Sequence, residues 1–262
     1  MRHGSRRWAV PAIPVALALF VLGPVTTVDS APAPVATNPV RILQLNLCHS
    51  GIMDCYTGDA VMARARSVIA STGPQVLSVN EACADDVEPL RQSMGPARAV
   101  FVAAERPDGT PVTCTNGQHF GNLIMVAEAL AGSVGVTGRF VDQDTGNEMR
   151  VWACLPAGVL TACTTHLSSH SGATALAQCH ELMDRAAGYA TTAPTVVAGD
   201  MNMRYRGTPN VQDCNRPGFY RKGDGSVQHV FATTTFTFVS GTKISMLGTT
   251  DHPAWLVTTT MG

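Results

Sequence analysis

The chain has 262 residues, 45% of them hydrophobic and 14% charged, with a formal net charge of −1. That length suits one large domain, and the lack of any internal repeat excludes a solenoid or propeller array. The near-neutral balance excludes a protein that holds nucleic acid by overall basicity, although a local patch is enough for such binding.

Arg2, Arg6 and Arg7 open the chain and an apolar stretch follows from Trp8 to about Val25, broken by Pro11 and Pro14. Small residues at Val28-Asp29-Ser30 then suit a signal peptidase, so residues 1–30 read as a secretory signal. The stretch is too short and too proline-broken for a good membrane span, which needs ~20 apolar residues. Cleavage there removes three arginines and one aspartate and leaves a net charge of about −3. Residues 31–39, which begin Ala31-Pro32-Ala33-Pro34, read as a flexible leader, and residues 40–262 as the domain.

Residues 41–48 alternate apolar and polar side chains, as a half-buried strand does. Residues 59–72 have helical spacing, with Asp59 as N-cap and Gly73-Pro74 as the stop. A second strand is expected at 75–80 and a short helix at 85–94. Further strands are expected at 98–103, 121–127, 148–155 and 158–166, the last two joined by a turn at Pro156-Ala157-Gly158. A helix at 172–189 precedes a short buried strand at 195–199. Strands at 227–232, 235–239 and 251–258 close the chain. Many strands, few helices and hairpins in place of strict βαβ alternation predict an α+β fold with helices covering sheets.

Eight cysteines, an even number in an exported chain, predict disulfides. Eight allow 105 pairings, and the order along the chain suggests 48–55, 83–114, 154–163 and 179–214.

Polar residues recur where apolar strands end: Asn46, Glu81, His166, Asp200 with Asn202, and Asp251 with His252. If those ends converge, they form a cleft of carboxylates, imidazoles and amides. Carboxylate oxygens suit a hard divalent ion, and a histidine near it can move protons near neutral pH. These are the parts that phosphodiester hydrolysis needs. The His166/His170 spacing lacks a third ligand for zinc.

The pieces Leu45-Asn46-Leu47, Val79-Asn80-Glu81, Phe120-Gly121-Asn122, Thr165-His166-Leu167, Gly199-Asp200-Met201-Asn202 and Thr250-Asp251-His252-Pro253 span nearly the whole chain after the leader. In order and wording they resemble the endonuclease/exonuclease/phosphatase superfamily. The resemblance implies a four-layered α/β sandwich, two packed mixed β-sheets flanked by helices. It implies Glu81 as the principal Mg2+ ligand (Mn2+ or Ca2+ being alternatives), with Asn46 and Asp251 close by. Asp200 would orient or deprotonate the attacking water, Asn202 would position water or phosphate, and His252 would contact the scissile phosphate. His166 matches a second histidine of the DNase I-like and sphingomyelinase-like branches. Asn122, Arg150 and His170 would touch substrate at the edge of the site. One departure stands out: Gln228 takes the place where the family usually has an aspartate paired with the last histidine. Its oxygen can accept from a ring N–H but cannot stabilise an imidazolium by charge.

The reading is a secreted, monomeric, metal-dependent phosphodiesterase, a DNase I-like endonuclease acting on nucleic acid without stable membrane insertion. A sphingomyelinase-like phospholipase or a phosphatase of the same fold, acting on a phospholipid or phosphorylated small molecule, is the alternative. A non-catalytic secreted binding protein of this fold is the rival from another class.

Overall fold

A computed structural model describes residues 39–146 and 148–261, together with Met1 and Gly4. The expected signal and leader lie outside the described residues, apart from Met1, Gly4 and Pro39. No described helix is long and apolar enough to cross a membrane.

The first sheet uses β1 (Pro39–Asn46), β2 (Val76–Cys83), β3 (Ala97–Ala103), β4 (Phe120–Ala127), β11 (Phe236–Ile244) and β12 (Ala254–Met261). Its order is β11-β12-β1-β2-β4-β3. The second uses β5 (Val136–Arg139), β6 (Val151–Leu155), β7 (Thr161–His166), β8 (Thr195–Asp200), β9 (Phe219–Gly223) and β10 (Gln228–Thr233), in the order β5-β6-β7-β8-β10-β9. Each sheet has one parallel pair, β1 with β2 and β7 with β8, and the rest is antiparallel. A parallel pair needs a crossover. Helix α1 (Asp59–Thr72) supplies the first and α3 (Gly172–Tyr189) the second.

Alternation along the strands sorts side chains into layers. On β1, Ile42 faces the other sheet, while Leu43 and Leu45 face the helices. Ile42, Val76, Ile124 and Val126 pack against Val151, Ala162, Val196, Ala198 and Val230 between the sheets. Outside the first sheet, Val61, Ala65, Val68 and Ile69 of α1 and Leu90 of α2 (Val87–Met94) cover Leu43, Leu45, Leu77 and Val79. Outside the second, Ala175, Leu182, Met183 and Ala186 of α3 cover Val197 and Phe231. Each fully buried aliphatic side chain of this kind contributes roughly 1.5–3 kcal/mol. The result is the four-layered α/β sandwich.

The inter-sheet layer changes character along its length. The positions following Ile42 and Val76 on that face are Gln44, Asn46, Ser78 and Asn80, all buried. They pair with one another and with the facing sheet: Gln44 Nε2 donates to Asn80 Oδ1 at 2.7 Å, Asn80 Nδ2 donates to the Thr165 carbonyl at 3.0 Å, and the Asp200 backbone N–H donates to Asn80 Oδ1 at 2.8 Å. The core is therefore apolar at one end of the sandwich and hydrogen-bonded at the other. Polar groups buried with partners in this way cost little and fix register.

The four disulfides are Cys48–Cys55, Cys83–Cys114, Cys154–Cys163 and Cys179–Cys214, and no described cysteine is free.

Several local expectations need correction. Gly58, not Asp59, precedes the first turn of α1, and no side chain caps it. The expected helix at 85–94 begins as a short 3-10 turn at Ala84–Asp86. The last strand starts at Ala254, so Asp251, His252 and Pro253 lie in the loop before it. That loop frees two side chains from the sheet ladder. β5 and β9 were not foreseen, because Gly138 breaks the first and only Phe219 and Tyr220 of the second are apolar or aromatic.

Candidate active site

The hydrogen-bonded end of the sandwich opens into a cleft of about 380 Å³ lined by Glu81, Arg150, His166, Asp200, Asn202, Asp251 and His252, with His170 at its edge. A larger cavity of about 570 Å³ lies against α1 and α2 and touches none of these.

Both parallel pairs end here. In register, Asn46 sits opposite Asn80 and His166 opposite Asp200. Gly199 allows that pairing, since a Cβ there would collide with the Thr165 carbonyl. Glu81 departs from its strand: the β2–β4 register shifts between Val79 and Ala82, and Glu81 has φ 56°. A bulge with a non-glycine residue in the left-handed region turns a side chain off the sheet at some cost, and here it turns Glu81 into the cleft. Asn202 also lies in that region, at φ 49°, which asparagine tolerates.

Asn46 ties the two central carboxylates together. Its Nδ2 donates to Glu81 Oε1 at 2.9 Å and to Asp200 Oδ2 at 3.3 Å. Its oxygen accepts from the Cys48 N–H. So oriented, Asn46 offers its amide hydrogens to both carboxylates. Asp200 Oδ1 accepts from the Asn202 N–H at 2.9 Å, and Asn202 Nδ2 donates to the Leu167 carbonyl at 2.8 Å. His252 Nε2 stands 3.6 Å from Asp200 Oδ2 and 3.7 Å from Asp251 Oδ1. His166 Nδ1 stands 3.9 Å from Glu81 Oε1.

Burial sets the electrostatics. It raises the pKa of Asp200, and the nearby His252 opposes it. Burial also raises Glu81, against the Asn46 hydrogen bond, and the charge of Asp200 adds to the rise. His166 falls well below the usual histidine range because it is buried and faces Arg150 and His252. Arg150 is itself buried, donating to Glu148 at 2.7 Å and to Ser169 at 3.2 Å. No lysine or arginine among the described residues lies within ion-pair distance of Glu81 or Asp200. Buried Asp200 and partly buried Glu81, with no lysine or arginine partner and beside exposed Asp251, fit a hard divalent cation.

Two expected contacts are not formed as foreseen. Asn122 lies behind the cleft, where its Oδ1 accepts from Asn80 at 2.9 Å. It holds the network and does not line the cavity. Gln228 does not accept from His252. Its Nε2 donates to the Pro253 carbonyl at 2.5 Å, and its Oε1 has no partner among the described residues. The glutamine therefore grips the loop through the residue after His252. Sequence reasoning also passed over Asn80 and Gln44 as positioning residues. The signal was present: they share the strand face of Asn46.

A family model described as the Endonuclease/Exonuclease/phosphatase family matches residues 45–252, from the end of β1 to His252. The chain belongs to the endonuclease/exonuclease/phosphatase family. It is thus a phosphoester hydrolase of a family that is typically metal-dependent. Solved structures share the family fold at low identity. An endonuclease/exonuclease/phosphatase from Beutenbergia cavernae is 19% identical with a TM-score of 0.64, over 86% of this chain and 72% of that one. The human Nocturnin catalytic domain, with bound sulfate, is 14% identical with a TM-score of 0.67, over 86% and 94%. ANGEL2, a 2',3'-cyclic phosphatase, is 11% identical with a TM-score of 0.61, over 86% and 96%. Among curated proteins, none matches the chain's sequence.

Proposed function

We propose that the chain is an exported, divalent-metal-dependent phosphodiesterase that cleaves nucleic acid in the manner of a DNase I-like endonuclease. One observation carries the hydrolytic part. Glu81, His166, Asp200 and His252, which lie far apart in the chain, line one cleft, and Asn46 bonds both central carboxylates.

Glu81 and Asp251 would hold the ion, with Mg2+ the first choice and Mn2+ or Ca2+ the alternatives. When bound, it offsets phosphate charge and polarises the ester. Asp200 aligns a water and takes its proton. Asn202, braced by the Leu167 carbonyl, fixes that water or a phosphate oxygen. His252 presents Nε2 to the phosphoryl oxygens, where charge develops in the transition state. His166, kept neutral by burial, hydrogen-bonds without adding charge. Arg150 and exposed His170 extend the wall along which the rest of the substrate lies.

Export is supported by the N-terminal pattern at 1–30, which precedes a domain beginning near residue 40, and by four disulfides, which suit an oxidising compartment. A sphingomyelinase-like activity would want an exposed apolar hairpin. The Phe236–Phe238 segment lies in strand β11 rather than a protruding hairpin, with Phe236 buried and exposed Phe238 covered on one face by Lys222 at 3.9 Å.

The test is hydrolysis of bis(p-nitrophenyl) phosphate, plasmid DNA, RNA, sphingomyelin and inositol phosphates, each with Mg2+ and with EDTA. EDTA-sensitive cleavage of the aryl diester and of a polynucleotide is expected. Cleavage of sphingomyelin alone transfers the reading to a phospholipase, and no cleavage of any of them transfers it to a binding protein.

A further inference from the structure

Immediately after Asn202 the chain reads Met203-Arg204-Tyr205-Arg206. Three residues span at most ~10 Å, so Tyr205 cannot lie far from the cleft wall. Within residues 203–222 stand five of the chain's 18 lysines and arginines, against one acid, Asp213. One of the five, Arg216, is paired with Asp184. Arg204, Tyr205 and Arg206 are exposed.

Arg221 shows what kind of surface this is. Its Nε donates to Gln212 Oε1 at 3.1 Å, and its NH1 meets His229 Nδ1 at 2.9 Å. His229 in turn meets the Met203 carbonyl through Nε2 at 2.8 Å, so the ring is neutral, protonated on Nε2. The guanidinium is thus immobilised by two uncharged acceptors, and no carboxylate among the described residues is within ion-pair distance. A half-buried arginine held for structure alone is ordinarily neutralised by an acid. This one is fixed in place with its charge intact. Tyr205 then brings a second cation beside it: Arg221 sits 4.7 Å and Arg206 5.3 Å from the centre of the tyrosine ring. The ring quadrupole attracts each guanidinium, but two cations sharing one ring repel each other until an anion arrives. Their planar forks match phosphate oxygens.

We propose that Arg206 and Arg221, aligned on Tyr205, form with neighbouring exposed Arg204 a backbone-binding face that holds the polynucleotide strand next to the scissile phosphate. The identity of the strand rests on the nuclease reading above; the anion-binding geometry does not. An anionic lipid surface is the less fitting occupant, since Tyr205 is the only exposed large hydrophobic residue between 203 and 222. This face also explains how a chain of slightly negative net charge would hold a polyanion: the positive charge is local, not global.

The experiment compares the full chain with Arg204→Ala/Arg206→Ala, both exposed, and with Tyr205→Leu, which keeps the charges but removes the platform. Binding of a fluorescent single-stranded 30-mer is measured in EDTA across salt concentrations. Hydrolysis of the 30-mer and of bis(p-nitrophenyl) phosphate is measured with Mg2+. The expected result is a 10- to 100-fold loss in oligonucleotide affinity and kcat/KM for the double variant, a smaller loss for Tyr205→Leu, and unchanged cleavage of the small diester. The slope of log affinity against log salt should become shallower by roughly 0.7 for each phosphate that is no longer neutralised. Unchanged oligonucleotide affinity and slope in both variants overturn the proposal even if wild type cuts DNA. Variant-sensitive binding without any wild-type cleavage leaves the face standing and overturns the nuclease reading alone. Binding to vesicles of phosphatidylserine and phosphatidylcholine, abolished in the variants, with no binding of the 30-mer, reassigns the face to lipid and overturns it.

Discussion

Asp200 and Gln228 make the two sharpest residue-level statements. Asp200 is buried as a carboxylate with no lysine or arginine partner, which costs stability that the site tolerates for function. Asp200→Asn should therefore lower hydrolysis at least 1,000-fold and yet raise the melting temperature in EDTA; a fall in both would mean that the charge is already compensated. For Gln228 two roles make opposite predictions. If its oxygen served the His252 ring, Gln228→Glu would keep or raise activity. Because its Nε2 instead donates to the Pro253 carbonyl, glutamate would set two acceptors against each other and push the His252 loop away. Gln228→Glu should then lose more activity than Gln228→Met, chiefly in kcat, and the reverse ranking would restore the ring-acceptor role. The sequence could show that Gln228 replaces an acid; it could not show which end of the amide does the work, because that depends on where the Pro253 carbonyl points.

Elements matter through how their ends are tied. Asn80, where the β1–β2 pairing ends, accepts from Gln44 and from the Asp200 N–H, and donates to Asn122 and the Thr165 carbonyl. Its removal would take a partner from four buried groups, of which Gln44 keeps its bond to the Leu45 carbonyl, at about 1–3 kcal/mol for each group left unpaired. Asn80→Ala should cost at least ~3 kcal/mol in urea melts, against about 1 for Ser78→Ala. The disulfides offer a second ranking. Cys83–Cys114 spans 31 residues and Cys48–Cys55 only 7, so chain entropy makes the former worth about 1 kcal/mol more. The small loop, however, carries Ile52 and Met53, which line the cleft. Paired cysteine-to-alanine variants should thus rank oppositely: larger stability loss without Cys83–Cys114, larger activity loss without Cys48–Cys55. Elements with strong periodicity were legible in the sequence, α1 and α3 with the bounds found. β11 was cut short because Ser240-Gly241-Thr242 does not read as strand. Gly241 is there because the Trp255 ring occupies the space of a Cβ, a tertiary reason that no local pattern displays. The ends of β7 and β8 were legible because each stops on a polar residue after an apolar run, whereas β1 was expected to run to 48 and stops at Asn46, and β2 was expected to stop at 80 and runs to Cys83. The bulge that turns Glu81 inward was not, since it depends on pairing with β4.

At the scale of the whole molecule the buried ionisable groups act in two opposed sets. His229 is held at about 4 by burial, and His166 well below its usual range. The unfolded chain binds protons at both near 6.5, so their contribution is intact at neutral pH and is lost as pH falls below that value. For His229 the loss is roughly 3 kcal/mol by pH 4. Glu81 and Asp200 have folded pKa values raised above the unfolded ones. Their contribution is present below about pH 4 and is lost as pH rises through the raised values. In metal-free protein the two sets therefore oppose each other above about pH 4, the histidines favouring higher pH and the carboxylates lower. His229→Gln should flatten the acid limb and Asp200→Asn the other. A divalent ion should act chiefly on the second limb, because it binds the deprotonated carboxylates, while His229 lies outside the cleft. At an ion concentration 100 times its Kd the gain is about 2.7 kcal/mol, or some 5–11 °C for a domain of this size. Melting curves at pH 5, 6.5 and 8, with 10 mM Mg2+ and with EDTA, should show the ion's effect growing with pH. An equal shift at all three would mean that the ion binds away from Glu81 and Asp200, and the assignment of the cleft as the metal centre would fail with it.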